Sequence, residues 1–508
     1  MTVARTWAVA IVGAQGEPVE IEADLSNQTP EFRIIGLADK ALAEAGQRVR
    51  NACANSSLPL PRRRLTVNLS PAALPKQGSG FDVGIAIAAV ATEMELDAAS
   101  LASTVHIGEL GLDGRLRPVP GVLPAVIAAA QSGRTRVIVP WANREEAALV
   151  AGVEVIGAVN LAQVAASHGA RIEPVVEDPV ELDDEPAATV TPPDLAEVLG
   201  QREAVDALVT AAAGGHHLMM CGPPGAGKTM LARRLPGVLP DLDDAAALEV
   251  ASIRSLTGSR VAELARTPPF EAPHHSASIA ALVGGGTRTV RPGAIARASR
   301  GVLFLDEAGE FPASALDALR QPLESGEITI HRAGVTAAFP ARFQLIMATN
   351  PCPCGDFGIR GGTCSCPPAA IRRYRSRLSG PILDRIDIEL TLARVSVAHG
   401  TPAAPAMSTA HARGIVAEAR ARSARRLRET PWSTNAQVSG QWLRDGPSAP
   451  PPLVRRPLDA ALHRGALTLR GYDRVLRVAW SLADIDGAPQ LEVSHIGRAL
   501  YLKKGITP

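Results

Sequence analysis

The sequence predicts an α/β protein in which a central domain with a parallel β-sheet follows an α+β domain and precedes a helical domain. Three observations predict this arrangement. In the central part, short apolar runs alternate with helical patterns, as in sheets built from strand–helix–strand units. In the first third, alternating strand patterns are mixed with apolar helices. Near the end of the chain, helical patterns rich in arginine follow one another.

The composition is that of a globular protein. The chain has 508 residues, which is too long for one hydrophobic core and fits about three domains. The formal net charge of +1 produces no general attraction to nucleic acid or membranes, so any such surface must be a local patch. No apolar run reaches the roughly 20 residues of a membrane span, and the N-terminus lacks the pattern of a signal peptide. We therefore expect a cytoplasmic protein without membrane contact.

The first domain is expected over residues 1–172. Strands are predicted over 6–12, 19–23, 32–37, 64–69, 105–110 and 136–140, and helices over 39–56, 82–92 and 122–130. Residues 173–193 contain many prolines and acidic residues without periodicity, which predicts an extended linker. The central domain is placed at 194–398 and the helical domain at 399–508, with a short hinge at 399–406.

A glycine-rich stretch lies at the centre of the second domain. It fits the pattern G-x-x-x-x-G-K-[ST] and comprises Gly222, Pro223, Pro224, Gly225, Ala226, Gly227, Lys228 and Thr229. Glycines let backbone N–H groups point at a phosphate, and the start of the following helix adds a positive dipole. Lys228 then supplies a charge for the β- and γ-phosphates, and Thr229 supplies a hydroxyl for Mg²⁺. The stretch predicts an ATP-binding loop.

Two later strands end in polar residues that suit the same site. One apolar strand ends at Asp306 and Glu307, and another ends at Asn350. Asp306 is predicted to hold Mg²⁺ together with Thr229, and Glu307 to orient and deprotonate the attacking water. Asn350 either helps to position that water or only caps its strand. Because Lys228 and Glu307 are both present, we expect hydrolysis of ATP rather than binding alone.

Four of the six cysteines are close together in the sequence. Cys352, Cys354, Cys364 and Cys366 form two Cys-x-Cys pairs separated by nine residues. Four thiolates can complete a tetrahedral Zn²⁺ site with Zn–S distances of about 2.3 Å, which leaves no open position for catalysis. The pattern therefore predicts a structural zinc site. An iron–sulfur cluster, free or redox-active thiols and disulfides remain alternatives.

Three other features each permit two interpretations. Arg332 is expected at the tip of a β-hairpin, where it would meet a nucleic-acid backbone or remain a solvated side chain. A helix over 411–429 carries a row of arginines, which would follow nucleic acid or form a solvated face. His274 and His275 would be metal ligands or polar loop residues, and the second interpretation is preferred because a third partner at metal-ligand spacing is missing from the sequence around them.

Two segments of the first domain resemble the active-site segments of the Lon-type serine–lysine proteases, which have a ribosomal-S5-like fold. These segments cover residues 75–80 and 118–129. In those proteases a nucleophilic serine needs a lysine as its base. Residues 118–130 contain no lysine, and Leu123 stands near the place where it is expected. The resemblance implies a Lon-like domain without the Ser-Lys dyad, in which Ser79 is a loop hydroxyl and the domain serves assembly or binding.

The whole chain resembles the magnesium-chelatase-like AAA+ ATPases of the ComM/YifB type. Three stretches carry the resemblance: Ala-Pro-His-His-Ser-Ala-Ser at 272–278, Asn-Pro-Cys-Pro-Cys-Gly at 350–355 and Ser-Gly-Pro-Ile-Leu-Asp-Arg-Ile-Asp at 379–387. The resemblance implies a P-loop AAA+ core with a helical C-terminal lid. It implies that Lys228 and Thr229 are the Walker A pair, Asp306 and Glu307 the Walker B pair, Asn350 sensor 1, Arg385 the arginine finger and Arg477, preferred over Arg474, sensor 2.

The resemblance also implies an ATP-driven motor that uses ATP and Mg²⁺. The expected assembly is a homo-oligomeric ring, a hexamer, in which Arg385 acts on the nucleotide of the adjoining copy. The expected partner is branched or single-stranded DNA, on which the motor acts in branch migration or as a helicase. The alternative is an ATPase that remodels proteins or assists a metal chelatase.

Overall fold

The computed structural model describes residues 3–36, 44–58, 60–173, 176–181, 191–286, 290–332, 335–359, 362–378, 380–394 and 406–504, without the side chains of Arg332, Val335 and Lys504. Four parts of the predictions lie outside these residues: the start of the first predicted helix at 39–43, most of the acidic linker at 182–190, the hairpin tip at 333–334 and the hinge at 399–405. Within the described part, no helix is both long and apolar enough to cross a membrane.

The first unit is an α+β unit. Its strands are β1 Ala4–Val12, β2 Gln15–Ser26, β3 Glu31–Ile35, β4 Arg64–Ser70, β5 Thr104–His106, β6 Glu109–Leu110, β7 Leu116–Arg117, β8 Arg136–Pro140 and β9 Glu154–Ala158. Its helices are α1 Ala45–Asn55, α2 Asp82–Val90, α3 Ala98–Ser103, α4 Val122–Gln131, α5 Arg144–Ala147 and α6 Leu161–Ser167. The strand predicted over 105–110 is two strands, because Gly108 interrupts it with a φ of 149°.

Seven strands of this unit form one mixed sheet in the order β3-β4-β2-β1-β5-β8-β9. The alternation in β2 buries Val19 and Ile21 on one face, where they pack with α1 and α2. On the other face, Val9 of β1 packs against a hydrophobic cluster that includes residues of α4 and Ala251 of the next unit. The sheet is therefore covered on both faces, and the second layer includes residues of the central unit.

The central unit follows residue 194. Its strands are β10 Leu218–Cys221, β11 Phe270–Glu271, β12 Gly284–Gly285, β13 Arg291–Pro292, β14 Val302–Leu305, β15 Glu327–Arg332, β16 Val335–Pro340, β17 Gln344–Thr349 and β18 Ile388–Thr391. Its helices are α7 Arg202–Gly214, α8 Lys228–Val238, α9 Asp244–Thr257, α10 Ile279–Val283, α11 Ala294–Arg297, α12 Ala313–Asp317, α13 Arg320–Ser325, α14 Pro368–Ser376 and α15 Gly380–Leu383.

A parallel sheet in the order β11-β14-β17-β10-β18 organises the central unit. Its inner strands β14 and β17 are buried along their whole length, as their continuous apolar sequences require. One face packs on α7, α8 and the C-terminal helices, and the other packs on the segment from α11 to the β15–β16 hairpin. This confirms the α/β class with a parallel sheet in the centre of the chain.

The described chain after residue 406 is helical. Its helices are α16 Thr409–Leu427, α17 Gly440–Asp445, α18 Pro452–His463, α19 Leu469–Asp486 and α20 Val493–Lys504. In α16, Arg413 donates to the Gly237 carbonyl at 3.0 Å, and Arg420 donates to the Ala212 carbonyl at 2.7 Å. These arginines fasten the helix to the central unit, so they do not line a free basic face.

The first unit contacts the central unit through backbone hydrogen bonds. Ala14 N donates to the Ala338 carbonyl of β16 at 3.0 Å, and Gly121 N donates to the Ser255 carbonyl of α9 at 3.0 Å. The turn before Ala14 needs a glycine, because a Cβ at Gly13 would lie 2.3 Å from the Ala338 oxygen. The first unit therefore holds one strand of the hairpin in place.

A buried histidine chain predicts how the first unit responds to acid. Thr6 Oγ1 lies 2.9 Å from His106 Nδ1, and His106 Nε2 lies 2.9 Å from His168 Nε2. Burial lowers the pKa of His168 to about 4, and burial together with His168 lowers the pKa of His106. Since an unfolded histidine titrates near about 6.5, protonation favours the unfolded chain. Stability is therefore full above about pH 6.5 and is lost as the pH falls toward 4.

Thermal unfolding of the full chain at pH 8 and pH 5 measures this effect. We expect the melting temperature to fall by several degrees at pH 5, and the decrease to be smaller in His168→Gln because one titrating group is gone. Equal pH dependence of the variant and the natural chain would contradict this interpretation.

Candidate active site

The candidate site lies where three neighbouring strands of the parallel sheet end. β10 runs into the glycine-rich loop, β14 runs into Asp306 and Glu307, and β17 runs into Asn350. These strands are adjacent in the order β14-β17-β10, so their carboxyl ends meet at one edge. Ligands of open α/β sheets bind at this edge. The tertiary structure thus brings together residues that are up to 128 positions apart.

The glycine-rich loop wraps around the Lys228 ammonium group. Lys228 Nζ donates to the carbonyls of Gly222 at 2.6 Å and Pro223 at 3.0 Å, and to Asn350 Oδ1 at 2.9 Å. Burial lowers the pKa of Lys228, and the nearby Asp306 carboxylate opposes that change. Gly227 has a φ of 83° at the point where α8 begins. The loop therefore presents a helix N-terminus and a cation at the same place, which suits an anionic phosphate chain.

Thr229 and Asp306 form the part of the site that suits a divalent cation. Thr229 Oγ1 donates to Asp306 Oδ2 at 2.7 Å, and Glu307 N donates to Asp306 Oδ1 at 3.0 Å. A hydroxyl and a carboxylate next to the loop are the oxygen ligands that Mg²⁺ takes beside a bound triphosphate. They fit Mg²⁺ well, because both are hard oxygen donors and they lie beside Lys228.

Glu307 stands at the mouth of the site in an unusual backbone conformation. Its φ is 51°, which is rare for a residue with a side chain, and its carboxylate is half exposed. Glu307 Oε2 lies 3.1 Å from His275 Nδ1. His275, interpreted from the sequence as a polar loop residue, is therefore part of the site. His275 lies near Glu307 because β11 pairs with β14 in parallel, and the chain after β11 continues past the same end of the sheet.

A cleft of about 240 Å³ joins these groups. It is lined by Thr229, Arg233, Ala272, Pro273, His274, His275, Phe304, Asp306 and Glu307. Arg233 was missed by the sequence analysis, although it follows Thr229 by about one turn of α8 and so faces the same side. Gln201, also missed, donates to the Ala226 carbonyl of the loop at 2.6 Å. Nothing in the local sequence around Gln201 indicates this contact.

The four cysteines converge beside the loop. Their sulfur atoms all lie within 4.8 Å of one another, with Cys352 to Cys354 at 3.3 Å and Cys352 to Cys364 at 3.7 Å. A tetrahedral zinc site with Zn–S of about 2.3 Å places its sulfurs about 3.8 Å apart. The cluster fits a thiophilic ion.

Comparison with known proteins identifies the family. The family model described as magnesium chelatase, subunit ChlI, matches residues 194–399; the model for subunit ChlI of Mg-chelatase matches 21–143, and the subunit ChlI C-terminal model matches 406–503. Competence protein ComM of Haemophilus influenzae is 40% identical over 507 residues, which cover 98% of this chain and 97% of ComM. The chain belongs to the magnesium-chelatase-like ComM/YifB family.

Two further relatives align over almost the full length. YifB of Escherichia coli is 38% identical over 495 residues, covering 97% of this chain and 95% of YifB. An uncharacterized protein of Mycobacterium tuberculosis is 47% identical over 512 residues, covering 99% of both chains. Membership confirms the resemblance found in the sequence and assigns the AAA+ ATPase type of core to the parallel sheet.

The arginines to which the ComM/YifB resemblance gives roles lie away from the glycine-rich loop of the same copy. Arg385 pairs with Glu324 and donates to the Pro381 carbonyl, with 15% of its side chain exposed. Arg477 is largely buried and donates Nε to the Val438 carbonyl at 2.8 Å. Arg474 donates to Asp387 at 2.5 Å. The roles of Arg385 and Arg477 in catalysis remain predictions, and Arg477 is held inside the helical unit.

The segments with a predicted nucleic-acid role have different surroundings. The hairpin is present as β15 and β16, with Arg332 as the last residue of β15. In α16, Arg426 binds Asp484 at 2.5 Å and Arg422 donates to the Asp484 carbonyl at 2.7 Å.

The two segments that resemble the Lon-type proteases lie in the first unit. Ser79 donates to Glu109, and Leu123 is fully buried in α4. The absence of a Ser-Lys dyad remains a prediction from the sequence.

Proposed function

We propose that this protein is a cytoplasmic, Mg²⁺-dependent ATPase that works as a ring-shaped motor on branched or single-stranded DNA. One observation carries the ATPase part: at one edge of the parallel sheet, Lys228 donates to Asn350 and the adjacent Thr229 donates to Asp306. The four residues come from three separate segments of sequence. Their convergence supports a single site that binds a nucleoside triphosphate and cleaves it.

Each residue has a distinct task in this proposal. The loop N–H groups of residues 222–229 bind the phosphate oxygens, and Lys228 exchanges the Gly222 and Pro223 carbonyls for the β- and γ-phosphates. Thr229 and Asp306 hold Mg²⁺, which neutralises charge on the phosphates when bound. Glu307 accepts the proton of the attacking water, and His275 orients its carboxylate. Asn350 positions the water.

The ring part of the proposal rests on Arg385. A guanidinium in the neighbouring copy can stabilise charge on the transferring phosphoryl group. Arg385 lies between α15 and β18, just before the amino end of β18, which is the outer strand of the sheet. The glycine-rich loop follows the carboxyl end of the parallel neighbour β10, so it lies at the opposite end of these strands. Such a residue serves an adjoining copy, and a closed ring supplies one to every site. A hexamer is the assembly we propose.

Two considerations support DNA as the substrate. The relative ComM is named a competence protein, and competence is the uptake of DNA. In addition, the first unit contacts β16 through Ala14, which holds in place the strand that pairs with the strand of Arg332. The alternative is a motor that remodels proteins or assists a chelatase, which the family description of magnesium chelatase favours. DNA dependence of the ATPase rate separates the two.

The test is the rate of ATP hydrolysis by the purified full chain with and without forked or four-way DNA. We expect DNA to raise the rate several-fold, and Lys228→Ala to be inactive in both conditions because the phosphate cation is gone. An unchanged rate with every DNA form would refute the DNA part and favour the remodelling alternative. Hydrolysis that persists in Lys228→Ala would refute the site.

We also propose that the four cysteines hold a structural Zn²⁺ ion. The sulfur separations near 3.3–3.7 Å suit a tetrahedral ion rather than the roughly 2 Å of a disulfide. With all four positions occupied by sulfur, such an ion takes no part in ATP chemistry directly.

A further inference from the structure

The segment that carries the four cysteines is in direct contact with the glycine-rich loop. Gly355 follows Cys354 and packs on Pro224, so closely that a Cβ at Gly355 would lie 2.5 Å from Pro224 Cδ. Gly355 is buried and has a φ of 86°, while Pro224 is exposed. The cysteine segment therefore packs against the loop at Gly355, where no side chain fits.

The same segment begins at the residue that binds Lys228. Asn350 Oδ1 accepts from Lys228 Nζ at 2.9 Å, and the fully buried Cys352 follows two residues later. Between them, the Pro351 carbonyl accepts from Arg375 Nε at 3.2 Å. Cys352 is thus separated from Asn350, at the end of its strand, by Pro351 alone.

A third contact joins the cysteine segment to the residues that follow β18. Asp356 Oδ1 lies 3.3 Å from Arg394 Nη2, just beyond β18. Of the four cysteines only Cys352 is fully buried, and Cys354 is exposed. Cys-x-Cys pairs in a segment with so little apolar burial need a bound ion to define their conformation, because metal binding supplies the folding free energy of such small sites.

We propose that a thiophilic divalent ion of the zinc class, held by Cys352, Cys354, Cys364 and Cys366, braces the glycine-rich loop so that the affinity for ATP depends on the metal. This inference rests on the proposed ATPase function and adds the regulation of its nucleotide site. Without the ion, Pro224 loses its support and the loop must be ordered by the nucleotide, which weakens binding. The metal acts through Gly355 and Pro351 and does not touch the phosphates.

A pair of glycine variants tests the contact while all four cysteines stay in place. Gly358 lies in the same segment with a φ of 75°, and no atom lies within 4 Å of the position that a Cβ would take there, whereas Gly355 presses on Pro224. Both Gly355→Ala and Gly358→Ala place an alanine at a positive φ, and only the first brings a Cβ against the loop. We expect Gly355→Ala to keep its zinc and to bind a fluorescent ATP analogue about tenfold more weakly, with Gly358→Ala unchanged.

Metal removal provides the second test. Cys354→Ser and Cys366→Ser, and the natural chain treated with a zinc chelator, are compared by metal content and by the dissociation constant for the ATP analogue. We expect loss of zinc and at least about tenfold weaker binding, restored in the chelated natural chain when zinc is returned. Metal-free protein with unchanged affinity, or equal affinities of the two glycine variants, would overturn the proposal. A zinc-loaded natural chain that binds no nucleotide would refute the ATPase function instead.

Discussion

Replacing Glu307 with glutamine is expected to lower kcat for ATP hydrolysis by at least about 10²-fold, because a general base contributes about 10²–10⁴-fold to such reactions. The Glu307 carboxylate is half exposed and is held by His275 at 3.1 Å, at the mouth of the cleft. The amide keeps the shape and loses the ability to accept a proton. Affinity for ATP should remain within about twofold, since the phosphate contacts come from the loop and Lys228.

The measurement is the steady-state ATPase rate together with equilibrium binding of an ATP analogue. Glu310→Gln is the matched control, since Glu310 lies three residues further along and pairs with Arg377 outside the cleft. We expect that variant to keep the natural rate within about threefold. A Glu307→Gln protein that hydrolyses ATP at the natural rate would show that another group is the base.

Loss of the Arg385 guanidinium is expected to reduce hydrolysis by about 10³-fold in Arg385→Ala, the magnitude typical of an arginine supplied by a neighbouring subunit. Burial and the nearby Arg474, Arg470 and Arg320 lower the pKa of Arg385, so it lies in a group of cations with Glu324 as its carboxylate partner. Contact with a neighbouring triphosphate would offer this group a stronger anion than Glu324 does. ATP binding by the separate copy should be retained.

Mixing two inactive proteins tests whether Arg385 acts in trans. Arg385→Ala has an intact Glu307, and Glu307→Gln has an intact Arg385, so mixed rings contain interfaces in which both groups are natural. We expect the mixture to hydrolyse ATP well above the sum of the separate variants. The exposed Arg373 on α14 provides the control Arg373→Ala, which should keep full activity. If the mixture stays inactive while mixed oligomers form, Arg385 does not work across an interface.

Much of the nucleotide site could be predicted from the sequence because its signals are local. Lys228 and Thr229 follow the glycines at the start of α8, and Asp306, Glu307 and Asn350 directly follow buried strands. The carboxyl ends of parallel strands meet at one edge whatever the rest of the fold does. The four cysteines could likewise be grouped from the sequence, because their spacing is a local signal.

Residues whose role depends on distant partners could not be assigned in this way. The arginines of α16 were interpreted as either a nucleic-acid stripe or a solvated face, yet Arg420 reaches the Ala212 carbonyl and Arg426 binds Asp484. Arg477, chosen over Arg474 for a nucleotide contact, donates to the Val438 carbonyl. A helical pattern shows which residues share a face but not which neighbour covers that face.

The sequence by itself therefore determined where a phosphate and a cation would be held, since glycine-loop geometry and strand ends are encoded within a few residues. Only the tertiary structure decided that His275 meets Glu307, that Gly355 packs on Pro224 and that Arg385 pairs with Glu324. These contacts join segments more than 30 residues apart, or depend on which edge of the sheet a strand occupies. Their distances are set by the packing of strands and helices, which local sequence does not specify.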